Sequence, residues 1–171
     1  INEKWNELKV NYNYEDKNFF LQNAKIFNKE TLKKLSSYKN IDNVEISEKR
    51  EIYFNKICKK IKKLGGLFIL IDYGYSKVPN YFTLQCIYNH KYSSIFENMG
   101  RQDVSSFVDF NRLIYFAKKN QLNVDIFCTQ KEFLLKYGIK ERKEKIYTKI
   151  NKKQKKIIDI GYKRLIDSNE M

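Results

Sequence analysis

The stretch Gly65–Tyr75, GGLFILIDYGY, limits the possible folds of this chain more than any other. Its apolar run Leu67–Ile71 spans five residues, far short of the about 20 that a membrane-crossing helix needs. A short apolar run behind a glycine pair predicts a strand buried on both faces, as in a parallel sheet covered by helices. Asp72 falls just past the run, where open α/β sheets place their ligand crevices.

The segment that leads into this strand reads as a helix. Ser47 is an N-cap, and Glu48 and Glu51 put negative charge in the first turn, where the helix dipole favours it. Phe54, Ile57, Cys58, Ile61 and Leu64 recur on one face, and lysines fill the other as a solvated row. Beyond the strand, Phe82–Tyr88 reads as another strand, and Tyr92–Val104 as a polar, irregular loop. Asp109 caps a helix to about Lys119, with Leu113, Ile114, Phe116 and Ala117 inward. Leu122–Cys128 is a further apolar strand, and its Val124–Cys128 is expected to pair in parallel with Leu67–Ile71 through that crossover helix. Thr129 and Glu132 form a capping box that opens a helix over Gln130–Tyr137, which Gly138 closes. Lys140–Arg164 predicts one long or two shorter amphipathic helices, with Ile146, Ile150, Ile157, Ile160 and Ile166 as the stripe. Ahead of all this, residues 1–44 read as an accessory insertion. Lys9–Tyr14 and Phe19–Leu21 make a hairpin, and Thr31–Ser36 is a loop or short helix. Residues 45–171 form the α/β part.

Hydrophobic residues make up 42% of the chain, which argues against disorder. The formal charge of +14 points to an anionic partner or to the Lys- and Asn-rich drift of an AT-rich genome. The inflated Lys, Asn, Ile, Tyr and Phe content favours drift, and with it a chain that is not a nucleic-acid binder. No membrane insertion is expected. Three scattered cysteines without a CxxC pair argue against both a disulfide framework and a structural zinc site. His90 is the single histidine, so a His–His relay cannot be built here, and no Walker, GxGxxG or GxSxG motif occurs. Taken alone, the residues describe an α/β half-domain without a complete active site.

Several short motifs follow one another at close intervals. These are VEIS (Val44–Ser47), Arg50, IDYG (Ile71–Gly74), TLQ (Thr83–Gln85), His90, EN-x-G-x-QD (Glu97–Asp103), VDF (Val108–Phe110), TQ-x-x-FLL (Thr129–Leu135) and Arg142. Together with Trp5, the run resembles the C-terminal half of the MidA family of S-adenosylmethionine-dependent methyltransferases. That family includes the complex I assembly factor that methylates arginine. The resemblance implies the C-terminal portion of a Rossmann-like class I methyltransferase sheet, with a small β insertion on its N-terminal side. It implies S-adenosylmethionine as cofactor and a protein substrate, in that family a respiratory complex I subunit. It sets the chain in a bacterial cytoplasm or a mitochondrial matrix.

The family's glycine-rich cofactor loop and its NE-x-x-DALP motif are absent from this sequence, so the resemblance implies a fragment that needs a missing N-terminal half. Four motif positions depart from the family pattern: Phe82, Met99, Ser105-Ser106-Phe107 and Lys131. The resemblance places Asp72 and Tyr73 toward substrate, with Gln85, His90 and Asp103 on neighbouring loops. The alternative functions are a non-catalytic basic interaction module and a decayed remnant.

Overall fold

The structure, a computed structural model, describes residues 5–39 and 41–167; the two chain ends, Ile1 and Met171, lie outside it. Strand β1 (Asn6–Asn13) and strand β2 (Asn18–Lys25) form the expected antiparallel hairpin, in register from Asn6↔Lys25 to Asn13↔Asn18. Its turn is held by Asn13, whose side-chain oxygen accepts from the Glu15 N–H and whose amide donates to Asp16. Helix α1 (Lys29–Leu35) follows, capped by Asn28, and buries Leu35.

Helix α2 (Glu48–Leu64) begins at Ser47, whose hydroxyl accepts from the Arg50 N–H. It ends at Gly65, where φ is +74° and the N–H returns to Ile61 O at 2.8 Å, a conformation that favours glycine. Cys58 is its most buried residue, while Leu64, expected inward, is exposed. Helix α3 is Phe110–Lys119, and Asp109 caps it as the sequence predicts. Leu113 and Ala117 are buried, and both belong to the expected apolar face.

Helices α2 and α3 lie side by side and run the same way. Arg112 near the start of α3 meets Glu51 near the start of α2, and Asn120 at the end of α3 donates to Asn55 further along α2. Helix α4 (Gln130–Lys136) opens with the predicted capping box. Lys140–Arg164 resolves into two helices, α5 (Ile139–Tyr147) and α6 (Lys152–Ile166). The residues α6 turns inward are Ile158, Tyr162 and Ile166, whereas Ile157 and Ile160 face out at 62% and 60% exposure. That corrects part of the expected isoleucine stripe: Ile146, Ile150 and Ile166 are half-buried as expected, whereas Ile158 and Tyr162 take the inward places expected of Ile157 and Ile160. No helix among the described residues is long and apolar enough to cross a membrane.

The strands differ most from expectation. Strand β3 is only Gly74–Tyr75, and it pairs in parallel with strand β7 (Val108–Asp109). Between them lies an antiparallel sheet of strand β4 (Gln85–Tyr88), strand β5 (Lys91–Ser93) and strand β6 (Asp103–Ser105), in the order β5-β4-β6. Part of the segment read as an irregular loop therefore belongs to a sheet. Leu67–Ile71 is not a ladder strand buried on both faces, and it does not pair with Val124–Cys128, which is not a ladder strand either. The physical reason is a missing layer. Phe54 of α2 lies over Phe68, and Phe110 of α3 over Phe127, but both runs stay largely exposed. No strand among the described residues lies alongside either run. Exposure alternates along the first, with Leu67, Ile69 and Ile71 at 77%, 64% and 74% against Phe68 and Leu70 at 42% and 39%. That is the period of two of an extended chain with one face on a helix.

Candidate functional site

A connected set of polar contacts gathers where β3 meets β7. The Val108 N–H donates to Tyr73 O at 2.8 Å, and a Cβ on Gly74 would collide with Val108 O and the Phe110 ring. Glycine is required there by closeness of approach, not by backbone angle. Asp109, the next residue, is buried, and its carboxylate accepts from the Arg112 N–H at 3.0 Å. The Arg112 guanidinium reaches Glu51 at 2.7 Å and stands 5.3 Å over both Tyr115 and Phe116. Lys34 of α1 completes the group, 3.2 Å from Glu48 and 3.8 Å from Glu51.

Behind this lies a second knot. Both oxygens of Glu45 are taken: it accepts from the N–H groups of Thr83 at 2.6 Å and Leu84 at 3.2 Å, and from the Thr83 hydroxyl. Buried Thr83 in turn accepts from the Phe107 N–H, and Arg50 donates to Phe107 O at 3.1 Å and to Ser106. The motifs VEIS, TLQ and the segment before VDF are thus one hydrogen-bonded unit. Glu45 and Thr83 were not among the predicted site residues. Their signal was the co-occurrence of the two motifs, which does not reveal that one bonds the other.

Two phenols border these acids. Burial first, then the charges of Asp109 and Glu45, pushes Tyr75 up to about 12 against the opposing pull of Arg50. Burial and Asp109 likewise raise Tyr38. Both remain neutral donors at neutral pH. An open cleft of about 450 Å³ lies beside them, lined by Tyr38, Ser76, Asp109, Asn111 and Arg112, among others. It offers hydroxyls, an amide and a guanidinium, and its buried carboxylate is already engaged as a helix cap.

The predicted residues fall into two places. Asp72 and Tyr73 lead into β3. Asp72 is exposed, its Oδ1 accepts from the Tyr73 N–H at 2.8 Å, and its other oxygen has no partner among the described residues. Tyr73 stacks on Phe107, centroids 6.3 Å apart. Gln85 and Asp103 lie on the three-stranded sheet, opposite Ser105 and Ile87 respectively. His90 occupies the β4–β5 turn with Asn89, both at positive φ, +61° and +48°. The neighbouring EN-x-G-x-QD loop is tied by Gln102, which donates to Ile95 O at 2.9 Å and to Ser94 O at 3.2 Å.

A methyl-donor nucleoside needs backbone N–H groups or a carboxylate free to hold its polar groups. Asp109, the acid that lines the cleft, is spent on a helix cap, and the glycines at 65 and 66 precede an apolar run instead of linking a strand to a helix. The cleft and the glycine pair do not fit that cofactor. No group of three or more His, Cys, Asp or Glu among them is placed to hold a metal ion.

Helices on one side of apolar runs, a parallel bridge and an acidic residue at its lip describe a mixed α/β protein. Over residues 1–128 the chain matches the family described as "Putative S-adenosyl-L-methionine-dependent methyltransferase", and it belongs to that family. It is 31% identical over 119 residues to the protein arginine methyltransferase NDUFAF7 homolog, mitochondrial, of Caenorhabditis elegans; the match spans 67% of this chain and 27% of the relative. Its fold is similar to the crystal structure of an uncharacterised protein from Burkholderia thailandensis, at TM-score 0.76 and 20% identity, over 98% of this chain and 46% of that one. The chain therefore spans about a quarter of the curated relative and under half of the solved neighbour.

Proposed function

We propose that this chain is the acceptor-side part of an S-adenosylmethionine-dependent protein arginine methyltransferase, with the cofactor held by polypeptide outside residues 1–171. The family match and the likeness to an arginine methyltransferase support the reaction class. The single structural observation that carries the reading is Asp72, an exposed carboxylate beside the parallel bridge with one oxygen fixed and the other open. Such a group can take a guanidinium by a charge-assisted bond and balance its charge while the acceptor nitrogen is aligned. Stacked Tyr73 sits next to it as a wall for the flat guanidinium. The acceptor is a protein arginine, in keeping with the family resemblance on a respiratory complex I subunit.

Calorimetric titration of S-adenosylmethionine into the chain alone tests the division of labour. Weak or undetectable binding is expected, and low-micromolar binding would overturn it. A radiolabelled methyl assay on the chain joined by the part of the Burkholderia protein it does not match tests the acceptor. Label on arginine supports the reading; label confined to another side chain refutes it.

A further inference from the structure

The β1–β2 hairpin has one satisfied face and one bare face. Its register sets Val10 opposite Leu21 and Tyr12 opposite Phe19, so these four side chains share one side with Leu8. Leu8, Val10, Phe19 and Leu21 are exposed there, Val10 most of all at 57%. The other side is polar apart from Phe20 and Ala24, and it holds itself together. Asn11 donates to Gln22 at 2.8 Å, and Lys9 pairs with Glu7 at 3.4 Å. No helix or further strand among the described residues packs along the bare side. The stack of Phe19 on Phe96, centroids 6.1 Å apart, is its ring contact with the rest of the chain. A lone two-stranded hairpin is only marginally stable in water, and a hydrophobic sheet face is stable when a second layer covers it.

We infer that this face is a self-association surface, on which the hairpin of a second copy of the chain packs face to face about a two-fold axis. Charge decides the occupant. Residues 5–25 carry three acids, Glu7, Glu15 and Asp16, against three lysines, Lys9, Lys17 and Lys25, a net of zero. The whole formal +14 therefore lies elsewhere on the chain, and Lys140–Arg164 alone holds eleven basic residues against Glu141, Glu144 and Asp159. An acidic partner is drawn to those helices, whereas two like-charged copies repel over most of their surface and can meet where the charge cancels. The hairpin is such a place, and its bare side is apolar as well. Val10 and Leu21 lie near the middle of their strands, so across a two-fold axis they meet their own counterparts, as a self-complementary interface requires. Size sets the strength. Strands of eight residues are about 27 Å long and two of them span about 10 Å, so two stacked hairpins hide less than the about 1,200 Å² of a standard interface. The dimer is accordingly weak and forms as concentration rises. It does not depend on the methyl-transfer reading, and its test reads assembly, not activity.

Sedimentation velocity of the full chain at rising concentration should show a reversible equilibrium between monomer and dimer. Val10→Lys and Val10→Glu, made separately, each bring like charges together across the axis and should weaken dimerisation at least about tenfold. Mixed in equal amounts, the two variants should dimerise with one another, since the introduced charges then face their opposites. A variant that had merely lost its fold would not be recovered by that mixing. Dimerisation untouched by both variants would put the interface elsewhere and overturn the inference, as would two weakened variants that fail to pair when mixed. A monomer at every concentration would overturn it too, including one whose hairpin amides are protected from exchange only on adding the non-matching part of the Burkholderia protein, because that polypeptide would then be the occupant.

Discussion

At the residue scale, exposure separates side chains that hold the fold from those free to meet a ligand. Asp109 and Asp72 are both carboxylates at the end of a short strand or run, yet the first is buried under its own helix cap and the second is open. Replacing Asp72 with Asn keeps the bond to the Tyr73 N–H and removes the charge. In the assembled methyltransferase this should lower transfer to arginine by a factor equivalent to about 1.5–3 kcal/mol, the usual worth of a charged hydrogen bond. The melting temperature of the same variant should hold, and a lowered melting point with full transfer would assign Asp72 to structure. Gly74→Ala should do the reverse. Its methyl group would press on Val108 O and the Phe110 ring, and forced overpacking of this kind costs about 1–3 kcal/mol. Chemical denaturation should show that loss as a shifted midpoint, and an unchanged midpoint would mean that β3 and β7 part easily.

At the element scale, the helices, the β1–β2 hairpin and β4, within the expected Phe82–Tyr88, were legible, and the pairing of the apolar runs was not. Ser47, Asp109 and the Thr129–Glu132 box each announce a helix start through a bond made within three residues, so the sequence carries the whole signal. The β1–β2 hairpin was legible for the same reason, since its turn bonds are local. Leu67–Ile71 read as a strand because its composition fits one, but pairing is a property of neighbours that the run does not encode. The β5-β4-β6 sheet was hidden by polar residues at its turn, where Asn89 and His90 adopt positive φ. The exposed position of Asp72 follows from its place just past the apolar run, whereas the engagement of Glu45 could not be read, because its partners at Thr83 and Leu84 lie almost forty residues away. The joint between α5 and α6 rests on side chains too. Asp159 accepts from Tyr147 and pairs with Lys143 at 2.7 Å, and Lys143 stands 4.5 Å over Tyr162. Lys143 first and Tyr147 second hold the Asp159 carboxyl below its ordinary 3.8. A carboxylate with a lowered folded pKa stabilises fully above its ordinary value and loses that contribution as pH falls through the lower one. Acid titration followed on the Tyr147 and Tyr162 ring resonances should therefore show the joint loosening only below 3.8. Asp159→Asn should remove that step, and its persistence would place the acid response elsewhere.

At the scale of the whole molecule, a formal +14 has to be reconciled with a fold whose basic residues lie largely on outer helix faces. Lys143, Lys155 and Lys136 lie over tyrosine rings of their own chain, so part of the charge is already used internally. Binding to duplex DNA should accordingly be weak, indifferent to sequence, and steeply reduced between low and physiological salt. A sequence-selective complex that survives physiological salt would contradict this. The alternation along Leu67–Ile71 carries a different consequence. No ladder bond among the described residues numbers that run, so its phase is keyed by one aromatic contact, the Phe68 ring 6.1 Å from that of Phe54. A slip of a single residue would exchange Phe68 and Leu70 for Leu67, Ile69 and Ile71 against the helix. Two rings thus do for this run what a tight turn does for a hairpin: they set the count, and any strand laid beside it inherits its register.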